Sequence, residues 1–383
     1  MPLHDSPHWL DPHTCTVAEL DALVRAPTQH ADYPLASAIT QGVPVYDGAQ
    51  IRGAGPALQR DLMAEWCRVW QGGPGVLVLQ AAFADLAVVD AATAAFHRLI
   101  AAERLTGTRA DHFAKPGAND RVWNALEKLC LAAPPVFAAY YGNPLLAWVC
   151  EAWLGPAYQV TSQINSVNPG GAAQMAHRDY HLGFLSPAQA ARYPAHVHQL
   201  SPALTLQGAV AHVDMPVESG PTLYLPHSQK YPAGYLVAGQ PAFQAYFDAQ
   251  HVQLPLRKGD AVFFNPALMH AAGHNRSADI YRMANLLQVS SAFGRAMESV
   301  DRLRMCEALY PALRGMPAAE QVSAVAACAE GYAFPTNLDR DPPLGGLAPE
   351  SQQAVLLRAL QEGWPVDQLH QALRQQAEKK WTH

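Results

Sequence analysis

Apolar and polar residues alternate with three different rhythms along this chain. From Thr16 to Val24 and from Ala57 to Trp70 the apolar positions recur with helical spacing, and Thr16 is placed to cap the first of these segments. Gly72, Gly73, Pro74 and Gly75 then break the pattern. Val76 to Leu79 is a short β-branched run that reads as a strand, and Phe83 to Arg104 returns to helical spacing. Asn124 to Trp153 is again helical, with breaks near Pro134 and Pro144. After Gly155 the rhythm changes. Six short apolar runs, divided by turn residues, fall at Tyr158–Ser166, Leu204–Val213, Thr222–Leu225, Val252–Leu256, Ala261–Phe264 and Tyr281–Val289. Such spacing predicts an antiparallel sandwich or barrel. From Ser299 the pattern is helical to the end, with Gly363 and Pro365 separating Pro349–Glu362 from Val366–Lys379. The expectation is an α+β protein. A β core is carried between an irregular N-terminal extension (1–74) and a C-terminal helical region (296–383), with the core domain at 75–295.

Chemistry enters at Gln174-Met175-Ala176-His177-Arg178-Asp179-Tyr180-His181. On an extended strand residues i and i+2 face the same way, so His177 and Asp179 can aim an imidazole and a carboxylate at one point. Taken alone, H-x-D is more often a surface pair or a structural hydrogen bond. Well downstream, a Gly259-Asp260 turn opens the run Ala261–Phe264, and His270 follows its end. Two histidines and one carboxylate, with positions left open, are the ligand set of non-haem Fe(II) oxygenases. Arg282, on the next strand, offers a fork suited to a carboxylate.

These residues give the chain a resemblance to the phytanoyl-CoA dioxygenase family of Fe(II)/2-oxoglutarate-dependent oxygenases, extending from about Gly75 to Phe293. The Gly-Val-Leu-Val-Leu run at 75–79 and the turn Ser219-Gly220-Pro221-Thr222-Leu223-Tyr224-Leu225-Pro226-His227-Ser228-Gln229-Lys230 are similar to family features. The resemblance implies a double-stranded β-helix, a jelly-roll or cupin-like core. It also implies iron on His177, Asp179 and His270, and the 2-oxoglutarate C5 carboxylate on Arg282, with Gln163 a further cosubstrate contact. The implied reaction consumes O2 and 2-oxoglutarate, releases succinate and CO2, and hydroxylates or oxidatively rearranges a small molecule. Because Asp179 is present, halogenation is disfavoured. Two departures from the family pattern are Arg178 between the paired ligands, where Gln or Thr is usual, and Ala272, where Ser is common. The other class left open is a non-oxidative cupin-like metal enzyme or a silent binding protein.

Arg178 and His181 are the remaining site candidates, as residues facing a substrate, with a simple loop histidine as the bland reading of His181. His196, His198 and His212 have no carboxylate spaced to join them, Arg276 reads as a solvated loop residue and Trp123 as a core residue. The Gly72–Gly75 run lacks the Lys-Ser/Thr of a phosphate loop.

Composition narrows the partners. The net charge is −6, with 32 acidic and 26 basic residues. That balance opposes phosphate-driven nucleic-acid binding, and no polybasic stretch suits an anionic membrane. No run of apolar residues is long enough to span a bilayer. The segment MPLHDSPHWLDPHT has neither the basic nor the apolar region of a signal peptide. Of six scattered cysteines, none in a C-x-x-C pair, most read as buried free thiols in a reducing compartment. The expectation is a cytoplasmic enzyme acting on a small-molecule substrate, with nothing to fix the oligomeric state.

Overall fold

The computed structural model describes residues 8–105, 119–343 and 345–383. The first seven residues of the N-terminal segment lie outside them. Two compact units divide the chain. One comprises Met1–Ala84, Arg109–Arg121 and Asn165–Leu286, and the other Asp85–Thr108, Val122–Ile164 and Leu287–His383. The fold is mixed α/β, with a large mixed sheet and many helices.

The strands are β1 (Ala38–Thr40), β2 (Val43–Asp47), β3 (Val76–Gln80), β4 (Asn119–Val122), β5 (Gln159–Val167), β6 (Thr205–Ala211), β7 (Leu223–Tyr224), β8 (Val252–Gln253), β9 (Ala261–Phe264), β10 (His270–Ala271) and β11 (Arg282–Ser290). Eight of them form a sheet in the order β1-β2-β3-β9-β6-β11-β5-β4, and β10-β7-β8 form a smaller one. The chain runs through both units along β5 and β11. Within the large sheet β2 and β3 are parallel, whereas β9 runs antiparallel to both its neighbours, β3 and β6.

The runs read as strands from the sequence all contain a strand, with β7 and β8 shorter than the apolar patches that suggested them. Pairs β1 and β2 were not foreseen. They lie in the segment expected to be irregular, yet β2 joins β3 and extends the sheet. Val43, Val45, Val76, Val78, Val262 and Phe264 are buried together and form one core of the first unit. Burying the strands' apolar side chains is the main drive for this arrangement, at about 25 cal/mol per Å² of apolar surface removed from water. A second cluster beneath the smaller sheet includes Leu225, Leu236, Phe243, Phe247 and Met269.

The Gly259-Asp260 turn has a structural cause. Gly259 has φ of +86°, a conformation open to glycine at no steric cost. Asp260 is buried and spends its carboxylate on the backbone, accepting from the Ala81 and Arg257 N–H groups at 2.8 Å each. The turn therefore locks the start of β9 to the end of β3.

The second unit is largely helical. Pro134 and Pro144 each open a helix, Pro134–Tyr141 and Pro144–Leu154, at the first turn, where a missing N–H costs nothing. The helix Pro134–Tyr141 packs against Arg302–Leu313 and Ala318–Cys328. Among the described residues no helix is long and apolar enough to cross a membrane.

Candidate metal centre

His177 is not part of a regular strand. It makes an isolated antiparallel bridge with His270, and the two residues exchange backbone hydrogen bonds. The His177 N–H donates to the His270 carbonyl at 3.0 Å, and the His270 N–H returns to the His177 carbonyl at 3.1 Å. This bridge does what the extended H-x-D geometry was expected to do, and it brings the distant histidine alongside. His270 opens β10, which pairs with β7 through His270 and Tyr224. The Asp179 N–H donates to the Pro266 carbonyl at 2.9 Å, fastening the third residue to the turn ahead of His270.

The three side chains converge. A ligating atom from each of His177, Asp179 and His270 lies within 4.8 Å of the others. The Asp179 carboxylate spans the pair, with Oδ1 3.6 Å from His177 Nε2 and Oδ2 3.5 Å from His270 Nε2. Both imidazoles are held in the same way. Nδ1 of His177 lies 2.9 Å from the Met175 carbonyl and Nδ1 of His270 lies 2.9 Å from the Leu268 carbonyl. A carbonyl can only accept, so each Nδ1 carries its proton, and each Nε2 is the lone-pair nitrogen facing the centre. Fixing the ring and tautomer of a ligating histidine through its other nitrogen is the usual support of a metal site.

Electrostatics favour the same protonation states. Burial lowers the pKa of His177, and the neighbouring His270 lowers it further. Burial by itself would raise Asp179. The nearby rings of His270 and His177 and a hydrogen bond from Gln207 outweigh it and hold the carboxyl below the usual carboxylate range. An ionised carboxylate and a neutral imidazole are the forms that bind a metal. The residues therefore fit a divalent iron, and the donor set is the two-histidine, one-carboxylate face.

Gln207 was missed from the sequence. It lies in β6, whose seven residues are all buried, so it shows no alternation to single it out. Its Nε2 donates to Asp179 Oδ2 at 2.5 Å. The available signal was a side-chain amide in a strand otherwise of Thr, Leu, Gly, Ala and Val, since a buried amide must find a partner.

Arg282 begins β11 and is buried, 7% exposed. Its Nη1 donates to the carbonyls of Ser219 and Gly273 at 3.3 and 3.4 Å. Burial pushes its pKa down to about 10. Tyr224, the register partner of His270, is close enough for Arg282 to act on it. Burial pushes its hydroxyl pKa up, while Thr222 and the Arg282 charge pull it partly back. A buried cation served, among the described residues, by long bonds to carbonyls suits an anionic ligand.

The remaining candidates are placed differently. Gln163 is buried on β5, in the second unit, with its Nε2 3.5 Å from Met297 Sδ. His181 is half-buried at the start of a short 3-10 turn, His181–Phe184, and its Nε2 has no hydrogen-bond partner among the described residues. Arg178 does not open towards a ligand. Its guanidinium is turned into the protein and donates to the carbonyls of Tyr231 and Ser228.

Comparison with known proteins gives three kinds of result. The family model for phytanoyl-CoA dioxygenase (PhyH) matches residues 72–284. Among solved structures, the non-haem α-ketoglutarate-dependent epimerase SnoN from nogalamycin biosynthesis is 22% identical, with 62% of this chain and 85% of that chain covered at a TM-score of 0.43. The carbocyclase SnoK from the same biosynthesis is 20% identical, covering 62% and 88% at 0.42. HygX from Streptomyces hygroscopicus, with nickel and 2-oxoglutarate bound, is 17% identical, covering 65% and 92% at 0.40. No curated protein matches the chain significantly. The match to the family model takes in more than half of the chain, including the converging His177, Asp179 and His270, and the chain belongs to the phytanoyl-CoA dioxygenase family of Fe(II)- and 2-oxoglutarate-dependent oxygenases.

Proposed function

We propose that His177, Asp179 and His270 hold one Fe(II), that Arg282 receives the distal carboxylate of 2-oxoglutarate, and that the enzyme hydroxylates or oxidatively rearranges a small molecule. The observation that carries this reading is the convergence of two Nε2 lone pairs and one carboxylate, each imidazole tied by its Nδ1 proton to a carbonyl. When bound, iron and 2-oxoglutarate supply the oxidising chemistry, with O2 consumed and succinate and CO2 released.

The protein's own residues do the binding and orienting. Asp179 adds the one negative charge of the donor set, and Gln207 restrains its Oδ2. Arg282 offers a fixed fork in a place closed to water, where a charge-assisted bond is strongest. Tyr224, between His270 in register and Arg282 in charge, is a second cosubstrate contact in this reading. His181 is the substrate contact, because its buried Nε2 has no hydrogen-bond partner among the described residues. The strands are read as a double-stranded β-helix, with the oxygenase domain at 75–295, an extension at 1–74 that lends β1 and β2, and a helical region at 296–383.

Anaerobic titration with Fe(II) tests the assignment. One equivalent should bind, and adding 2-oxoglutarate and O2 should release succinate. His177→Ala or His270→Ala should lose both. Full iron occupancy in either variant would overturn the ligand assignment.

A further inference from the structure

Arg178 sits between two metal-binding residues, yet its side chain leaves the centre. Successive side chains of an extended segment point opposite ways, so the turn that aims His177 and Asp179 inward sends Arg178 outward. There it is 4% exposed. Nη1 donates to the Tyr231 carbonyl at 3.0 Å and Nη2 to the Ser228 carbonyl. The guanidinium lies over the Tyr235 ring, 5.5 Å from its centroid. No carboxylate pairs with it among the described residues.

The segment that receives Arg178 also touches the other ligand arms. The Tyr235 hydroxyl donates to the Asp179 carbonyl at 3.0 Å. Ser228 Oγ accepts from the N–H of Met269, the residue before His270, at 2.8 Å. Gly234 completes the fit, because a Cβ there would overlap the Arg178 guanidinium carbon. Residues 228–235 are thus bonded to both sides of a site whose halves are also joined by the His177–His270 bridge, the Asp179–Pro266 bond and the Gln174–Ala272 bond.

We infer that Arg178 is a positioning residue, which clamps residues 228–235 beneath the centre and thereby sets where His177 and Asp179 stand relative to His270. This rests on the metal assignment proposed above. A planar fork reaches two carbonyls at once and stacks on an aromatic ring, and a lysine cannot reproduce that geometry. Gly234 is the matching half of the clamp. Arginine at position 178 therefore requires glycine at position 234.

The test is Co(II) affinity, measured by calorimetry and by the visible absorption of the bound ion, with no turnover involved. Arg178→Ala should weaken Co(II) binding by about 10- to 100-fold, the usual loss when a support of a metal ligand is removed. The absorption spectrum should change too, because the ligand geometry relaxes. Arg178→Lys should fall between, and Gly234→Ala should weaken binding in the native background. In the Arg178→Ala background the added methyl has room, so Gly234→Ala should cost nothing further. Native affinity and an unchanged spectrum in Arg178→Ala would overturn the inference. If that variant does not fold, native affinity in both Arg178→Lys and Gly234→Ala overturns it equally. Failure of the metal assignment looks different, since the unaltered protein would then bind no Co(II), or His177→Ala would bind it as tightly.

Discussion

Arg282 keeps a full positive charge where water barely reaches, and its protein partners are two carbonyls at the long end of hydrogen bonding. A carboxylate arriving there replaces weak neutral acceptors by a charged one. A bond of that kind is worth roughly 1.5–3 kcal/mol, or about 10- to 100-fold in affinity. Arg282→Ala should raise the KM for 2-oxoglutarate by that factor while iron still binds, since the guanidinium is no ligand. An unchanged KM would move the anchor elsewhere. His227 offers a test at another residue. It is buried with φ of +69°, its Nδ1 2.8 Å from Lys230 Nζ and its Nε2 3.1 Å from Thr28 Oγ1. Burial, then the Lys230 charge, lowers its pKa from 6.5 to about 4. Between those values the unfolded chain binds the proton and the folded one does not. Stability from this group is therefore intact above about pH 6.5 and is lost as the pH falls towards about 4. His227→Asn tolerates the positive φ and cannot titrate. The native protein should lose up to about 2 kcal/mol more than this variant between pH 7 and pH 4.5 in denaturant melts. Parallel pH profiles would contradict this.

At the level of elements, β6 is the strand on which the centre leans. It pairs with β9 in a register that sets Gly208 opposite Phe263, and a Cβ on Gly208 would come within 2.5 Å of that buried ring. Gly208→Ala should cost about 1–3 kcal/mol as an overpacked core. It should also weaken metal binding, because Gln207 moves with its neighbour. A thermal melt and a Co(II) titration read the two effects, and a native value in both would refute the argument. Much of this layer was legible beforehand. Val76–Gln80 and Ala261–Phe264 announce themselves by β-branched and aromatic composition, and His177, Asp179, His270 and Arg282 by residue type and order. What was hidden depends on partners remote in sequence. β1 and β2 are three and five residues long, too short for periodicity to register amid Pro34, Gly42 and Pro44. The direction of Arg178 follows from alternation, but what it meets is a segment some fifty residues on. Gln207 shows the same limit, being an ordinary residue until Asp179 is beside it.

Across the whole molecule, the proposed ligands all belong to the unit that contains Met1–Ala84 and Asn165–Leu286. Metal that binds only the folded form stabilises it by mass action, by about 2.7 kcal/mol at a hundredfold excess over Kd. Co(II) should raise the calorimetric transition of that unit, and a chelator should reverse the rise. His177→Ala should be insensitive to both, and an equal rise in that variant would place the ion elsewhere.

The reciprocal bridge between His177 and His270 also bears on when the centre comes into being. Ninety-three residues separate the two, so no local stretch of chain can assemble the ligands. A loop of that length must close first, at an entropic cost that grows with the logarithm of its length. Pairing across such a span favours slow folding, and the donors meet only after β6, β7 and β9 exist to carry them. A nascent chain released before Met269 has two of the three donors and no site. Metal uptake thus reports on a chain made past His270 and closed across that span, and iron should bind late, to a sheet already formed.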